Sequence, residues 1–120
     1  MSYIDGFLIP VPATNKDAYI TTSKKMTAFF ERHGAVRIVE CWGNDVFDGK
    51  IVDFKRAVAA REGESIVFSW IEWPSKDVRD RANRAMREDV ELMDVDMPFD
   101  GKRMVFGGFD VLLDFKSKQP

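Results

Sequence analysis

One histidine and one cysteine are the first residues of this sequence whose types could do chemistry together. His33 and Cys41 both lie in the stretch FFERHGAVRIVECWGND, and each is the only residue of its type in the 120 residues of the chain. A thiolate beside an imidazole base supports nucleophilic catalysis when the two groups are within hydrogen-bond reach. The spacing of the preceding apolar residues, however, places His33 in the last turn of a helix, and strand alternation turns Cys41 toward the helices, into packed apolar surroundings. We therefore predict structural roles for both.

Four carboxylates form a second group of candidates, because one lies on each predicted strand and all share one predicted face. Asp5, Glu72 and Asp110 are expected toward one end of three adjacent strands, and Glu40 toward the opposite end. Carboxylates gathered on an apolar wall raise one another's pKa, which makes a general acid or base, and they can also bind a hard cation. The alternative, which we favour, is that they pair with Lys or Arg or lie at a hydrated rim. No dedicated metal site is predicted.

Aromatic side chains are predicted to share the wall with these carboxylates. They would supply apolar contact to a small organic molecule, while the carboxylates fix its orientation. The candidate ligand-binding residues are therefore Tyr3, Asp5, Glu40, Trp42, Phe68, Trp70, Glu72, Phe106 and Asp110.

Four strands and two helices must position this wall. Runs rich in β-branched and aromatic residues predict strands over 3–10, 35–43, 65–73 and 103–115, the first ended by its prolines. Apolar spacing predicts helices over 14–33 and 76–89, the first with a capping box at Thr14 and Asp17 and the second capped by Ser75. Residues 44–64 are harder to assign, and DFKRAVAA within them fits either a short helix or an extra strand.

The order of these elements, β-α-β-β-α-β, predicts an α+β fold of the ferredoxin-like class in a single domain over residues 1–120. The expected strand order across the antiparallel sheet is four, one, three, two, with both helices on one face. The smaller, mostly aliphatic set of strand residues is assigned to the helix side, and the aromatic set with its four carboxylates to the open side.

An open face with so many large side chains predicts a homodimer. The exposed patch would exceed the few hundred Å² usual for a monomer, so a second copy of the chain is expected to cover it, giving a dimeric α+β barrel. The alternative is a monomer whose long loops fold over the sheet.

Composition and charge narrow the range of partners and compartments. Lys and Arg total 18 against 20 for Asp and Glu, so the net charge of −2 gives no general attraction to nucleic acid or an anionic membrane. The clustered arginines of the second helix have acidic neighbours four residues away and indicate a solvated face. A single Cys and the absence of a signal-like N-terminus favour the cytoplasm. No cofactor is predicted, since the only candidate haem ligand, His33, lies at a helix end.

Gly107 and Gly108 lie together inside the fourth predicted strand. Glycine within a strand marks a bulge, a kink or a close approach by another group. A bulge would also change which face Asp110 occupies. No helix is expected to follow, so the pair is not a phosphate-binding motif.

Several segments of the chain resemble the YbaA-like proteins, also called domain-of-unknown-function family 1428. The segments are SYIDGFLIPVP, AVRIVECWGNDV, VFSWIEWPSKDVRD and MPFDGKRMVFGGFDVLL. The resemblance covers nearly the whole chain and implies the dimeric α+β barrel fold, whose superfamily includes cofactor-free monooxygenases, haem-degrading enzymes and small-molecule-binding proteins. It brings no catalytic residues with it.

Three functions remain open from the sequence. The leading one is binding of a small organic molecule, either between the sheet and a partner subunit or in a cleft beside the first helix and residues 43–64. The second is a cofactor-free monooxygenase or isomerase that uses the same wall. The third is a structural or regulatory dimer without a ligand, which would have a solid interior instead of a preformed pocket.

Overall fold

The fold is a four-stranded antiparallel sheet with two long helices on one face. A computed structural model describes residues 2–93 and 96–119. The sheet has the order β2-β3-β1-β4, which confirms the predicted strand order and the ferredoxin-like class. The elements are β1 (Tyr3–Pro12), α1 (Lys16–Arg32), β2 (Arg37–Trp42), α2 (Phe54–Ala57), β3 (Glu64–Trp73), α3 (Lys76–Glu88), α4 (Val90–Met93) and β4 (Val105–Asp110).

Strand β1 continues through both of its prolines instead of ending at Pro10. It pairs with β3 as far as Pro12, opposite Glu64. Its pairing with β4 stops earlier, at Leu8 opposite Val105. Beyond Leu8 the strand therefore has a neighbour on one side only, and a proline with no N–H is tolerated there as it is on an edge strand.

Strand β4 is shorter than predicted, for a reason that also lies in β1. It ends at Asp110, which is opposite Tyr3, the first residue of β1. No residue of β1 remains to pair with the expected continuation to residue 115. The apolar side chains of Leu112, Leu113 and Phe115 are consequently 83 to 98% exposed.

The helix ends agree with the sequence at Ser75 and His33 but not at Thr14. Ser75 caps α3, since its Oγ accepts from the backbone N–H of Val78 at 3.3 Å. At the end of α1, the backbone N–H of His33 donates to the carbonyls of Phe29 and Phe30. The predicted capping box at Thr14 is wrong, because a 3₁₀ turn over Ala13–Asn15 leads into α1 without a side-chain cap.

The segment between β2 and β3 contains a short helix and not an extra strand. Helix α2 begins after Asp53, whose carboxylate accepts from the backbone N–H groups of Arg56 at 2.7 Å and Gly49 at 3.0 Å. One aspartate thus closes the preceding turn and caps the helix.

The pairing register assigns every strand residue to one of two faces. In antiparallel pairing, directly opposite residues share a face. The helix face, which lies under α1 and α3, carries Tyr3, Asp5, Phe7, Ile9, Val11, Ile38, Glu40, Trp42, Val67, Ser69, Ile71, Trp73, Phe106, Gly108 and Asp110. The open face carries Ile4, Gly6, Leu8, Arg37, Val39, Cys41, Ile66, Phe68, Trp70, Glu72, Val105, Gly107 and Phe109.

This register corrects the predicted facing of three strands. On β1, β2 and β4 the set assigned to the open side lies on the helix face, while on β3 the assignment to the open face is right. Alternation shows which residues of one strand share a face, but it does not relate one strand to the next. The expectation that small aliphatic groups lie under the helices fails because the helices leave room above the sheet for large ones.

Two clusters of the buried core lie on the helix face, and Ile66 of the open face and Val58 are buried outside them. One is built around Tyr3, Ile71 and Trp73 with Ala82 of α3. The other contains Ile9, Val11, Tyr19 and Val67. Within residues 2–93 and 96–119, the helices are too short or too polar to cross a membrane.

Candidate functional site

A cavity of about 450 Å³ lies between the helix face of the sheet and the helices α1 and α3. Its volume is within the range of small-molecule sites. Most of its wall is apolar, and methionines contribute side chains that adapt to the shape of a ligand. The apolar lining includes Phe7, Ile9, Met26, Phe30, Ile38, Ile71, Met86, Met97, Phe99, Met104 and Phe106.

Asp5 is the buried carboxylate of this cavity and is only 8% exposed. Its Oδ2 accepts a hydrogen bond from the indole Nε1 of Trp73 at 2.9 Å. Its Oδ1 lies 3.5 Å from Nε of Arg79. Burial raises the pKa of the Asp5 carboxyl, while the Trp73 hydrogen bond and the Arg79 charge act in the opposite direction. A carboxyl held in this way can exchange a proton with a bound molecule.

Arg79 lies against Asp5 on α3, and its side chain is 18% exposed. Nη2 donates to the hydroxyl of Tyr3 at 2.7 Å, and the guanidinium carbon is 4.8 Å from the centre of the Tyr3 ring. Its Nε is buried and has no hydrogen-bond partner among the described residues. Because Nε is not accessible, the donors that Arg79 can offer at the cavity wall are those of its terminal nitrogens.

Gly108 allows Arg79 and Tyr3 to come this close to the sheet. A Cβ at this position would overlap both the Tyr3 hydroxyl and the Arg79 guanidinium. The pairing of β4 with β1 is continuous through Gly107 and Gly108, so the strand has no bulge there. Of the roles expected for the glycine pair, close approach is therefore confirmed at Gly108.

Glu40 lies at the β2 side of the cavity and is already hydrogen-bonded. Tyr19 donates to its Oε1 at 2.8 Å, and Ser23 donates to its Oε2 at 2.7 Å. Burial and, to a lesser extent, the charge of Glu40 raise the pKa of the Tyr19 hydroxyl, so Tyr19 remains a donor at neutral pH. A smaller groove of about 220 Å³ on this side shares Tyr19, Ser23, Thr27 and Glu40 with the cavity.

Residues 97–104, called the roof of the cavity here, line it through Met97, Phe99 and Met104 and are held at both ends. The side chain of Asn15 donates to the carbonyl of Pro98 at 3.0 Å, and the rings of Phe99 and Tyr19 are 5.9 Å apart. At the other end, Arg103 makes two hydrogen bonds to Glu64, at 2.6 and 2.7 Å. A bidentate pair of this kind fixes orientation as well as position.

The predicted site residues are therefore divided between two faces. Asp5, Glu40 and Phe106 line the cavity. Tyr3 holds Arg79. Trp42 is on the same face, and Nζ of Lys16 lies over its ring, 5.4 Å from the ring centre.

Asp110 and three further candidates lie outside the cavity. Asp110 is exposed at the end of β4. Phe68, Trp70 and Glu72 are on the open face, where Glu72 accepts from the indole of Trp70 at 3.0 Å and lies 3.7 Å from the guanidinium of Arg37. The structure thus does not bring Asp5, Glu72 and Asp110 together on one wall.

His33 and Cys41 do not form a catalytic pair. His33 caps the end of α1, and its ring lies 4.3 Å from that of Phe29. Cys41 is exposed on the open face, which corrects the expectation that it points toward the helices. No cluster of His, Cys, Asp and Glu within the described residues has the makeup of a metal site.

The sequence pattern does not single out Arg79 as a site residue, although a signal for it exists. Arg79 lies three residues before Ala82 and seven before Met86, at the edge of the apolar stripe of α3. An arginine at that spacing belongs to the buried side of a helix and not to its solvated face. The acidic residues four positions away make all the arginines of this helix look solvated. That description is right for Arg81 and Arg84, which are exposed, but not for Arg79.

A second depression lies beside the loop between β2 and β3. It has a volume of about 440 Å³ and a more polar lining, formed by Gly43, Asn44, Val46, Lys55 and residues 60–66. It agrees in place with the cleft expected near residues 43–64, but its lining comes from that loop and β3 and not from α1.

Comparison with known proteins gives a family and a fold. The family model "Protein of unknown function (DUF1428)" matches residues 2–101. The uncharacterised protein YbaA of Escherichia coli K12 is 53% identical over 116 residues, covering 95% of this chain and 99% of that protein, and YbaA of Shigella flexneri matches equally. The recognised resemblance is thereby confirmed.

Two solved structures share the fold at low sequence identity. One is SnoaB, described as a cofactor-independent oxygenase from Streptomyces nogalater, with a TM-score of 0.58, 15% identity and coverage of 97% of this chain and 98% of that one. The other is a dimeric ferredoxin-like protein from an uncultured marine organism, with a TM-score of 0.55, 10% identity and coverage of 96 and 99%.

Proposed function

The chain belongs to the DUF1428 family of proteins of unknown function, and from its geometry we propose that it binds a small, largely apolar organic molecule in the cavity beneath α1 and α3. The observation that carries this proposal is the cavity of about 450 Å³ whose apolar wall contains a few converging polar groups. A purely structural dimer needs no such space, and an apolar core is normally packed without large voids. The proposed site lies inside one protomer and not between the sheet and a partner.

Filling the cavity tests binding directly. Met26 of α1 lines the cavity, whereas Ile20 of the same helix is outside it and 43% exposed. We expect Met26→Trp to lower the affinity for a naphthalene probe at least tenfold, because the larger side chain occupies the ligand's space. Ile20→Trp is the matched control and should bind like the parent protein. Equal loss in both variants, or in neither, contradicts binding in this cavity.

A second copy of the chain is proposed to cover the open face. Phe109 and Phe68 on this face are 61 and 47% exposed, and the apolar tail at Leu112 and Leu113 continues from its edge strand. Contiguous apolar surface of this kind marks a protein interface, and the edge of β4 leaves backbone groups free for pairing. The ferredoxin-like fold relative is described as dimeric, which supports a homodimer.

Light scattering after size exclusion tests the homodimer. The parent protein is expected to have twice the chain mass. Phe109→Asp places a charge in the proposed interface and should give a folded monomer, since the residue makes little contribution to the core of its own protomer. Ile20→Asp introduces the same charge on α1 and should remain dimeric. A parent protein that elutes at the mass of one chain contradicts the dimer.

An enzyme of cofactor-free oxygenase or isomerase type is the second candidate. It is supported by a specific feature of the site: the buried Asp5 carboxyl, whose pKa is raised by burial, lies beside a guanidinium in the cavity. Such a carboxylate can remove a proton from a bound substrate, and the electron pair left on the substrate is then stabilised by Arg79. The fold relative described as a cofactor-independent oxygenase agrees with this reading.

Oxygen uptake without added metal or flavin separates the enzyme from a binding protein. With a dihydroxynaphthalene as substrate, the enzyme reading predicts uptake above autoxidation and a fall of about 10²-fold or more in Asp5→Asn, the usual size of a general-base effect. Glu72→Gln, which alters a carboxylate of the open face, should retain the rate. Uptake that is unaffected by Asp5→Asn contradicts a base at this position.

A further inference from the structure

The polar groups of the cavity differ in how much hydrogen-bonding capacity they retain. Both oxygens of Glu40 accept from hydroxyl groups, so this carboxylate is satisfied on the exposed side of the cavity. Arg79 is the single lysine or arginine among the described lining residues. It makes one side-chain hydrogen bond within the described chain, to Tyr3, and an ion pair through Nη1 to Oδ1 of Asp80 at 3.4 Å, although a guanidinium has five N–H donors. Buried guanidinium groups require acceptors, and Arg79 has capacity for more.

Asp5 is the natural second half of this site. Its Oδ2 accepts the hydrogen bond from Trp73. Its Oδ1 lies 3.5 Å from Nε of Arg79 without the geometry of a hydrogen bond. The two side chains therefore lie side by side without closing on each other. A group that accepts from Arg79 and shares one proton with Asp5 would complete both of them.

We propose that Arg79 and Asp5 form a polar subsite for the carboxyl group of a small hydrophobic acid. The proposal rests on the proposed function, since it assigns the polar end of the same ligand. One ligand oxygen accepts from the Arg79 guanidinium, and the second shares a proton with Asp5 Oδ1. A planar carboxylate matches the shape of a guanidinium, whereas a ligand hydroxyl or amine does not.

The shared proton links binding to pH. A ligand carboxylate next to an ionised Asp5 would be repelled, so an ionised ligand is expected to bind with uptake of a proton by Asp5. Burial already raises the pKa of this carboxyl. The charged groups around it are Arg79 and Asp80 on α3, of which Arg79 opposes protonation and Asp80 favours it. From β4, its neighbour is Gly108, which has no side chain to titrate.

Three naphthalene probes that differ in one group test the subsite by calorimetry. They are 2-naphthoate, 2-naphthalenemethanol and 2-naphthylmethylammonium. We expect naphthoate to bind at least tenfold more tightly than the other two. Titrations in phosphate and in Tris, which differ in ionisation enthalpy, should report uptake of up to about one proton with naphthoate. Equal binding of all three probes overturns the subsite alone, and failure of all three to bind overturns the proposed function with it.

Variants of Arg79 then assign the preference to this residue. Arg79→Gln should remove the advantage of naphthoate over the alcohol, and Arg79→Lys, which retains the charge, should keep part of it. Arg37→Gln removes an arginine of the open face and is the matched control. Naphthoate selectivity that persists in Arg79→Gln, or that is lost equally in Arg37→Gln, overturns the assignment. The comparison of probes in the parent protein does not depend on whether a variant folds.

Discussion

The two faces of the sheet carry similar numbers of large apolar residues but bury them to different extents. On the helix face, Trp73 is fully buried and Asp5 nearly so, and their side chains are hydrogen-bonded to each other. On the open face, Phe68 and Phe109 are about half exposed or more. The same alternating strands thus build a partly hollow chamber under the helices on one side. On the other side they form a surface that is only partly covered, where Ile66 is buried and the ring of Phe54 lies 6.3 Å from that of Phe68.

This difference separates the chemistry of the protein from its assembly. Asp5 in the chamber is shielded from water, so its charge and hydrogen bonds act strongly on whatever is bound there. A polar group on the open face, such as Glu72, is satisfied by Trp70 and by the nearby Arg37. We therefore propose ligand binding on the helix face and self-association on the open face.

Replacing one tryptophan on each face should give the largest contrast. Trp73 is fully buried and packs edge-on against Phe30 at 5.9 Å, whereas Trp70 is part-exposed. We expect Trp73→Ala to cost about 3–5 kcal/mol of unfolding free energy, the usual cost of such a truncation in a core. Trp70→Ala should mainly weaken association. Urea denaturation at two protein concentrations measures both, and similar losses for the two variants would remove the distinction between the faces.

The adjacent glycines of β4 provide a finer test, because they point to opposite faces. A Cβ at Gly108 overlaps Tyr3 and Arg79, while a Cβ at Gly107 would meet the ring of Phe109 at 3.6 Å, an ordinary contact. We expect Gly108→Ala to cost about 1–3 kcal/mol, the range for overpacking, and to displace Arg79. Gly107→Ala should be tolerated. Thermal denaturation decides, and equal melting temperatures for the two variants contradict the close approach at Gly108.

Acid should weaken the ion pair between Arg103 and Glu64 that holds the roof of the chamber. The hydrogen bonds from Arg103 lower the pKa of Glu64 from its ordinary 4.5 to about 2. A carboxyl whose pKa is depressed in the folded state adds stability above its unfolded pKa and loses it as the pH falls through the folded value. We expect this contribution to disappear between pH 4.5 and 2.

Glu64→Gln provides the comparison for that titration. It should flatten the acid limb of a plot of unfolding free energy against pH, while Glu62→Gln, a change at an exposed neighbour, should leave the limb unchanged. An acid limb of the same steepness in Glu64→Gln would show that the Arg103 pair does not stabilise the roof.

Cys41 should give the smallest effect on stability and a direct report on the open face. It is exposed in the protomer and lies opposite Phe68. We expect Cys41→Ser to change the unfolding free energy by less than about 0.5 kcal/mol. In the proposed dimer the thiol is covered, so a thiol reagent should react more slowly with the parent protein than with the monomeric Phe109→Asp variant. Equal reaction rates would mean that this face is not covered.

The order of elements was predictable because the spacing of apolar residues along the chain distinguishes helices from strands. Breaks at Gly34 and Pro74, with the Ser75 cap, limit the elements to within a few residues. The ends of β1 and β4 were not predictable, because each depends on where its neighbour stops. Asp5, Glu40 and Phe106 were correctly predicted to share a face. Which side of the sheet that face occupies depends on the register, a property of pairs of strands.

The residue that completes the candidate site escaped prediction for a related reason. Arg79 looks like one of several arginines on a charged helix. Its spacing from Ala82 places it at the edge of the apolar stripe, but only the path of α3 over the sheet brings it to Asp5. Its contact with Asp5 joins positions far apart in the sequence, so no local spacing encodes it.

Native mass spectrometry of protein purified from cells shows whether the chamber of the helix face holds a small molecule. We expect a dimer that retains a small organic molecule, with the added mass lost in Met26→Trp and kept in Ile20→Trp. A parent protein that carries no added mass, or an added mass that survives Met26→Trp, would contradict it.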